Sequence, residues 1–226
     1  MAEGSLTNTT LPALIFDCDG VLIDSEYLAS RVESEQLRSL GLTLGIEEAH
    51  DLFLGKTVDG VLDTIAARTG TRPGSAWVYN WAFATAQAFM RELKAVNGVG
   101  VAIETLRQRG HRMAVASQSP LARVRLSLHV AGLAGQFGEH IYVTSMVPRP
   151  KPAPDIYQLA AEKLGAAPTD CVVIEDSPAG AAAALGAGMR VVGFAPGKTL
   201  EAMRASGAHV IRSMDELIAA IDAVAA

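Results

Sequence analysis

The sequence predicts an α/β fold, in which a doubly wound parallel sheet forms the core and an all-helical cap domain is inserted into it. Short runs of apolar and β-branched residues alternate with longer segments of helical periodicity, which is the pattern of parallel strands covered on both faces. The alternation is interrupted between residues 25 and 96, where helical patterns follow one another without a strand. With 226 residues, half of them hydrophobic, the chain can form a large core and an insert.

The predicted strands are short and, outside the insert, alternate with single helices. Because parallel strands joined through helices require right-handed crossovers, this order predicts a doubly wound sheet. The strands are Leu14–Asp17, Met113–Ser117, Ile141–Thr144, Val172–Glu175, Val191–Phe194 and, more weakly, His209–Ile211. The helices are Val99–Arg109, Leu121–Ala131, Pro154–Leu164, Pro178–Ala187, Thr199–Ala205 and, behind the N-cap Ser213, Met214 to about Val224.

The insert is predicted to be a helical cap domain of residues 25–96, whereas residues 1–24 and 97–226 form the core domain. Gly41 and Gly70 are expected to end two of its helices, because glycine accepts the left-handed backbone of a helix C-terminus. The predicted cap helices are Glu26–Leu40, Ile46–Phe53, Val58–Thr69 and Ser75–Leu93. The interior of the cap is expected to contain Trp77, Tyr79, Asn80, Trp81 and Phe83.

Composition and charge exclude several classes of partner. The net charge of -5 and the sequence pI near 5.5 argue against a nucleic-acid-binding groove. Two cysteines, Cys18 and Cys171, are too few for a disulfide framework and fit a reducing cytoplasm. Polar residues interrupt the longest uncharged stretch, residues 73–90, and Met1–Thr10 lacks the basic start of a secretory signal. We therefore expect a cytoplasmic protein, monomeric or weakly homo-oligomeric, that binds neither nucleic acid nor membrane.

Acidic, hydroxyl and lysine side chains follow the predicted strands at their carboxyl ends, where this fold binds ligands. Because the carboxyl ends of parallel strands meet at one edge of a sheet, we expect these side chains to converge. Unrelated turns and helix caps could explain one such residue, but they do not explain four strand or loop ends together. The residues are Asp17 and Asp19 after the first strand, Ser117 at the end of the second, Lys151 in a proline-rich loop, and Glu175 and Asp176 at the end of the fourth.

Several ionised carboxylates at one edge would repel one another, by about 4 kcal/mol for two charges roughly 4 Å apart at an effective dielectric constant of about 20. A hard cation would offset this repulsion, and Mg²⁺ commonly binds one or two carboxylates together with waters and a phosphate. Lys151 and Ser117 suit the remaining oxygens of such an anion. The residues themselves therefore predict a site for Mg²⁺ and a phosphate group.

These segments resemble the motifs of the haloacid dehalogenase superfamily, in the phosphotransferase branch that carries a helical cap. This branch includes β-phosphoglucomutase-like proteins and sugar-phosphate phosphatases. The segment Asp17–Glu26 is similar to the first motif of the family, and Ser117 matches the second. Lys151, within Lys-Pro-Ala-Pro-Asp, matches the third motif, and Glu175–Ser177 matches the fourth. The resemblance covers nearly the whole chain, and four motifs in the correct order are highly specific.

The resemblance implies a phosphatase that forms an aspartyl phosphate. It implies that Asp17 is the nucleophile, and that Asp19 protonates the leaving oxygen and then activates the attacking water. An aspartate at the position of Asp19 points to phosphate esters, since family members that expel halide lack a proton donor there. Cys18, between the two aspartates, is interpreted as a packing residue.

The resemblance also implies the ligands of the metal and of the phosphoryl group. Mg²⁺ would be held by the Asp17 carboxylate, the Asp19 backbone carbonyl and Asp176, with Glu175 assisting directly or through water. The transferring phosphoryl group would be held by Ser117, by Gln118 through its backbone, and by Lys151.

Substrate choice is expected to depend on the cap. The segment Leu54–Thr57 lies where related proteins present a substrate loop, and Lys56 is the candidate substrate-binding residue within it; a solvated lysine at a helix end is the alternative. A group of arginines is interpreted as a solvated helix face. It consists of Arg107, Arg109, Arg112, Arg123 and Arg125.

The function predicted from the sequence is therefore Mg²⁺-dependent hydrolysis of a small phosphorylated metabolite, with a sugar phosphate as the expected substrate. One alternative is a β-phosphoglucomutase-like mutase, which passes the phosphoryl group to another hydroxyl of the sugar instead of water. The other is a phospho-accepting signalling module without enzymatic activity, which the helical cap and the Asp-x-Asp on the first strand oppose.

Overall fold

The structure of the protein, a computed structural model, describes residues 11–53, 56–197 and 199–226. Within these ranges the strands are β1 Ala13–Phe16, β2 Met113–Ser117, β3 Ile141–Val143, β4 Cys171–Glu175, β5 Arg190–Phe194 and β6 His209–Ile211. They form one six-stranded sheet in the order β3-β2-β1-β4-β5-β6, and every pair of neighbours is parallel. The strand order reverses between β1 and β4, which is where doubly wound sheets open a crevice for ligands.

Helices cover the sheet and form the insert between the first two strands. Those that precede β2 are α1 Glu26–Arg38, α2 Ile46–Phe53, α3 Val58–Thr69, α4 Ser75–Glu92 and α5 Val99–Gln108. Those that follow β2 are α6 Leu121–Val130, α7 Asp155–Leu164, α8 Pro178–Gly186, α9 Leu200–Ala205 and α10 Leu217–Ala225. In the described part of the chain, no helix is both long enough and apolar enough to cross a membrane.

The predicted fold class is confirmed, and the differences are confined to the ends of elements. Asp17 lies one residue beyond β1, although its amide still donates to the Ile174 carbonyl of β4 at 2.9 Å. The N-cap predicted at Ser213 is confirmed, because Ser213 forms a capping box with Glu216. A 3₁₀ turn follows this cap, so the last α-helix begins at Leu217 instead of Met214.

The sheet is buried on both faces, because alternate side chains of each strand point to opposite sides. On β1, Leu14 and Phe16 belong to one apolar cluster, whereas Ile15 belongs to the cluster on the other face. All three side chains are fully buried, and each contributes about 1.5–3 kcal/mol of hydrophobic stabilisation. The residues that follow β1 are therefore anchored to the most deeply buried strand.

The helices of the insert surround an apolar cluster of their own. Trp81 is buried in this cluster, and Trp77 packs against it. Tyr79, Asn80 and Phe83 are exposed instead, so their predicted place in the interior is wrong. The reason is the helical period: α4 turns one face inwards, and these three residues lie on the opposite face, where the rings of Tyr79 and Phe83 stack at 6.2 Å.

The two connections between the insert and the rest of the chain run side by side. The Asp24 amide donates to the Lys94 carbonyl at 3.0 Å, and the Val96 amide donates to the Leu22 carbonyl at 3.1 Å. These contacts lie next to the expected boundaries of the cap at residues 25 and 96. The division into core and cap domains stays a prediction.

Candidate active site

The predicted site residues converge where β1 and β4 lie side by side. Asp17 follows β1 directly, and Glu175 ends β4. Lys151 reaches the same point from the loop before α7, although it is 134 positions distant from Asp17 in the sequence. Ser117 ends β2, the other neighbour of β1. All four side chains are buried, so the loop and three strand ends meet as the sequence predicts.

Lys151 is the cation at the centre of this cluster. Its Nζ donates to Asp17 Oδ1 at 2.6 Å, to Glu175 Oε1 at 2.6 Å and to the Ala116 carbonyl at 3.1 Å. Burial opposes the charged amine, but the carboxylates of Asp17 and Glu175 raise the pKa of Lys151 well above its ordinary value. Lys151 is therefore a fixed ammonium ion beside Asp17.

Both carboxylate oxygens of Glu175 accept hydrogen bonds from groups of the protein. Its Oε1 accepts from Lys151 and from the Tyr157 hydroxyl at 2.8 Å. Its Oε2 accepts from the Asp176 amide at 3.0 Å and from the amide and hydroxyl of Ser177, each at 2.9 Å. Burial opposes the charged carboxylate, but Lys151 and these donors lower the pKa of Glu175. A β-carbon at residue 180 would overlap the Glu175 carboxylate, so Gly180 makes this arrangement possible.

Asp17 is buried, and its charge disfavours the ionised form of the half-buried Asp176. Burial raises the pKa of Asp17 to about 7; Lys151 lowers it, whereas Glu175 and Asp19 raise it. Burial, Glu175, Asp17 and Glu26 together raise the pKa of Asp176 well above its ordinary value, against a smaller opposing effect of Lys151.

Gly20 allows Asp176 to approach the turn after β1. Its φ of +80° is in the left-handed region, which glycine adopts without the strain that a side chain would add. A β-carbon at residue 20 would also overlap the Asp176 carboxylate. Gly20 therefore both makes this turn and leaves space for Asp176, which directly follows β4.

Asp19 is held by donors from three different segments. Its Oδ1 accepts from the Ser25 hydroxyl at 2.6 Å and from Arg123 Nη2 at 3.0 Å, and its Oδ2 accepts from the Ser119 hydroxyl at 2.7 Å. Burial opposes the ionised form, but Arg123 and the two hydroxyls lower the pKa of Asp19. The interpretation of Arg123 as part of a solvated helix face is therefore wrong, because its guanidinium points into the site.

The remaining candidates differ in how closely they approach the site. The Ser117 hydroxyl accepts from the Ser119 amide at 3.1 Å, and Gln118 lies half-buried between these two serines. Lys56 is exposed just before α3, and its described contacts do not include the site residues. Leu54 and Gly55, in the predicted substrate loop, lie outside the described residues, as do Met1–Thr10.

Cys18 is fully buried, and burial raises the pKa of its thiol well above the ordinary value. Its interpretation as a packing residue is confirmed.

Four residues of the site were missed from the sequence: Tyr157, Arg123, Ser25 and Ser119. Tyr157 lies on the buried face of α7, two positions after the Lys-Pro-Ala-Pro-Asp segment. A tyrosine on an otherwise apolar helix face needs a partner for its hydroxyl, which is the signal that could have indicated it. Arg123 follows Ser117 by six residues, and the periodicity of α6 gives no comparable signal for it.

A buried carboxyl group of the insert, Glu33 on α1, also faces this region. Burial raises its pKa from 4.5 to about 7; Arg123 opposes this shift and Asp19 adds to it. Because the pKa is higher in the folded state than in the unfolded chain, the folded state binds this proton more tightly. The ionisation of Glu33 therefore reduces the free energy of unfolding as pH rises through this range, by up to about 3 kcal/mol.

We expect Glu33→Gln to increase the free energy of unfolding by about 1–3 kcal/mol at pH 8 and to change it little at pH 5. Urea unfolding at both pH values measures this. Glu35→Gln is the matched control, since Glu35 is exposed on the same helix. Equal stabilisation at the two pH values would contradict the assignment of the shift to Glu33.

Comparison with known proteins agrees with the motifs and the fold. A family model described as haloacid dehalogenase-like hydrolase matches residues 11–188. Hexitol phosphatase B of Escherichia coli (strain K12) is 34% identical over 182 residues, which cover 80% of this chain and 82% of the relative. The 6-phosphogluconate phosphatase of the same strain is 28% identical over 185 residues, which cover 81% of this chain and 82% of the relative.

A solved structure gives the same result. A haloacid dehalogenase family hydrolase from Deinococcus radiodurans R1, with bound phosphate and sodium, is 36% identical to this chain, with a TM-score of 0.75. The match covers 96% of this chain and 97% of that chain. The resemblance inferred from four short motifs thus extends to most of the chain in both sequence and structure. This chain belongs to the haloacid dehalogenase-like hydrolases.

Proposed function

We propose that this hydrolase is a Mg²⁺-dependent phosphatase, which hydrolyses a small sugar phosphate through an aspartyl phosphate at Asp17. The observation that carries this proposal is the position of the Lys151 ammonium, 2.6 Å from Asp17 Oδ1. An anionic nucleophile can approach an anionic phosphate only if positive charge at the point of attack reduces their repulsion. Lys151 supplies such charge, and Glu175 holds it in place by accepting a second hydrogen bond from its Nζ.

The residues present fit a divalent cation beside Asp17. Asp17 is buried and Asp176 is half-buried; the charge of Asp17 disfavours that of Asp176, and a cation bound to both would remove that penalty. Within the described ranges, no three His, Cys, Asp or Glu side chains are placed to hold a metal ion together. The expected ligands are therefore the carboxylates of Asp17 and Asp176, the Asp19 carbonyl and water, which is the small protein contribution that Mg²⁺ accepts. When bound, Mg²⁺ neutralises charge on the phosphate.

Glu175 is proposed to act on Lys151 instead of binding the metal directly. Both of its oxygens already accept hydrogen bonds from the protein. Direct coordination would require some of these buried bonds to break, and a donor left unpaired costs about 1–3 kcal/mol. Of the two expectations from the sequence, assistance through water is the one that these contacts favour.

The other site residues are assigned to binding and proton transfer. Asp19 is proposed to protonate the leaving oxygen and then to accept a proton from the attacking water. The phosphoryl group is proposed to contact the Ser117 hydroxyl, the Gln118 backbone amide and Lys151. Lys56, which is exposed near the start of α3, stays a candidate for contact with the rest of the substrate.

The proposed substrate class is supported by the relatives. One is named for hexitol phosphates and another for 6-phosphogluconate, and both names describe phosphate esters of sugar-derived alcohols or acids. Their similarity supports a sugar phosphate as substrate here. The signalling-module alternative loses its basis, because the family model that matches is that of hydrolases.

A panel of hexitol phosphates, sugar phosphates and sugar-acid phosphates tests the proposal. We expect inorganic phosphate to be released in an amount equal to the alcohol formed. Isomerised sugar phosphate without release of phosphate would support the mutase alternative instead. Failure of every ester in the panel would contradict a sugar-phosphate phosphatase.

Removal of the metal gives a second test. A chelator is expected to abolish turnover, and excess Mg²⁺ to restore it, because the carboxylates of Asp17 and Asp176 would otherwise face the phosphate without a compensating cation. Phosphate release with and without chelator measures this. Turnover that persists after dialysis against the chelator would contradict the metal assignment.

A further inference from the structure

The Arg123 guanidinium links Asp19 to the inserted helices. Its Nη2 donates to Asp19 Oδ1 at 3.0 Å, and its ζ-carbon lies 5.0 Å from the centre of the Phe89 ring on α4. Phe89 is fully buried. A guanidinium that lies over a fixed aromatic ring and also donates to a carboxylate is held at two points, so the N–H group that reaches Asp19 has a defined direction.

The two oxygens of Asp19 have unequal partners. Among the described residues, Oδ1 accepts from the Ser25 hydroxyl and from Arg123, whereas Oδ2 accepts from the Ser119 hydroxyl alone. A guanidinium N–H can only donate, but a hydroxyl can rotate and accept instead. Oδ2 can therefore take up a proton without losing a charged partner, and Oδ1 cannot. The Asp19 side chain is 27% exposed, so it is accessible from the crevice.

We propose that Arg123 is a positioning residue for Asp19, which fixes Oδ1 and leaves Oδ2 as the atom that exchanges protons with the substrate. The inference rests on the proposed phosphatase function. In the first step a carboxylate oxygen of Asp17 bonds to phosphorus and the bond from phosphorus to the leaving oxygen breaks. Before this step Oδ2 takes up a proton from solvent, and the electron pair left on the leaving oxygen takes that proton.

The second step restores the starting state. A water molecule bonds to phosphorus, the bond from phosphorus to the Asp17 oxygen breaks, and the proton lost by the water returns to Asp19 Oδ2. Arg123 touches neither the phosphate nor the leaving group in this scheme. Its effect is transmitted through the orientation of one carboxylate.

The leaving group of the substrate provides a specific test. A hexitol phosphate expels an alkoxide that needs a proton, whereas para-nitrophenyl phosphate expels a phenolate that is stable without one. The test compares the rates at which the two leaving groups are released in single turnovers, with enzyme in excess and Mg²⁺ present. Arg123→Gln should slow alcohol release by about 10–100-fold, since a misplaced acid loses much of its contribution. It should slow nitrophenolate release by less than about threefold, which also shows that the variant is folded.

Two further variants separate the possible causes. Arg123→Lys keeps the positive charge but not the planar group stacked on Phe89, and should recover part of the lost alcohol release. Arg125→Gln removes the same charge from an exposed position of the same helix, and should leave both rates unchanged.

Three results would overturn the inference. They are equal slowing with both esters, slowing that disappears at saturating enzyme, and wild-type rates in Arg123→Gln. An inactive wild type would instead refute the proposed phosphatase function, so the two failures are distinguishable.

Discussion

Lys151→Met is expected to lower the free energy of unfolding by about 3–5 kcal/mol at pH 8, because it leaves two buried carboxylates without their cation. Lys151 lies within 2.6 Å of an oxygen of Asp17 and of Glu175, and only 3% of its side chain is exposed. The loss should be smaller at pH 5, where the unpaired acids can take up protons instead of remaining charged. Urea unfolding at the two pH values measures the difference.

The matched control is Lys163→Met, which removes an exposed ion pair with Glu162 and should change the free energy of unfolding by less than about 1 kcal/mol. Adding Glu175→Gln to Lys151→Met should recover part of the stability, since one of the two uncompensated charges is then absent. Equal losses of stability in Lys151→Met and Lys163→Met would refute the central role of Lys151.

Lys151→Met should also be inactive. Inorganic phosphate should inhibit the wild type but should not bind this variant.

Asp17→Asn is expected to reduce phosphatase turnover by about 10³-fold or more, because an amide cannot form the aspartyl phosphate. The structure predicts that this variant still folds. The Asp17 pKa of about 7 means that burial already disfavours its charge, and Lys151 keeps Glu175 as a partner. Loss of activity without loss of stability is therefore the expected combination.

The measurement is an acid quench of the wild type and of Asp17→Asn during turnover of a phosphorus-labelled ester. Label should remain on the wild-type chain and be absent from the variant. Cys18→Ala is a neighbouring control that should keep its label, since Cys18 is a buried packing residue. Label on Asp17→Asn, or turnover near that of the wild type, would disprove the nucleophile assignment.

The sequence predicted those parts of the site that follow from strand ends. Near-continuous apolar runs identified β1, β2 and β4, and parallel pairing then places Asp17, Ser117 and Glu175 at one edge of the sheet. Lys151 could be added because a short loop rich in proline leaves few places for its side chain. These predictions needed only local patterns and one rule about parallel sheets.

What the sequence could not predict depends on contacts between distant segments. Arg123 is one of several arginines in its region, and only the stacking on Phe89 of α4 and the pairing with Asp19 distinguish it. The hydrogen bond from Tyr157 to Glu175 likewise requires α7, a distant segment of the chain, to pack against the face of the sheet. Tyr79 and Phe83 were predicted to be buried but are exposed. Aromatic composition alone does not say which face of α4 is buried.

Gly20 and Gly180 show that the site depends on the absence of two side chains, because neighbouring carboxylates occupy the space that a β-carbon would need. At each position a single methyl group would occupy the place of a carboxylate oxygen, of Asp176 in one case and of Glu175 in the other. Libraries made to alter substrate preference should therefore keep both glycines and vary the insert. A change in the insert is expected to alter which ester fits, whereas alanine at either glycine would displace the Asp176 or Glu175 carboxylate and is expected to reduce activity towards every ester.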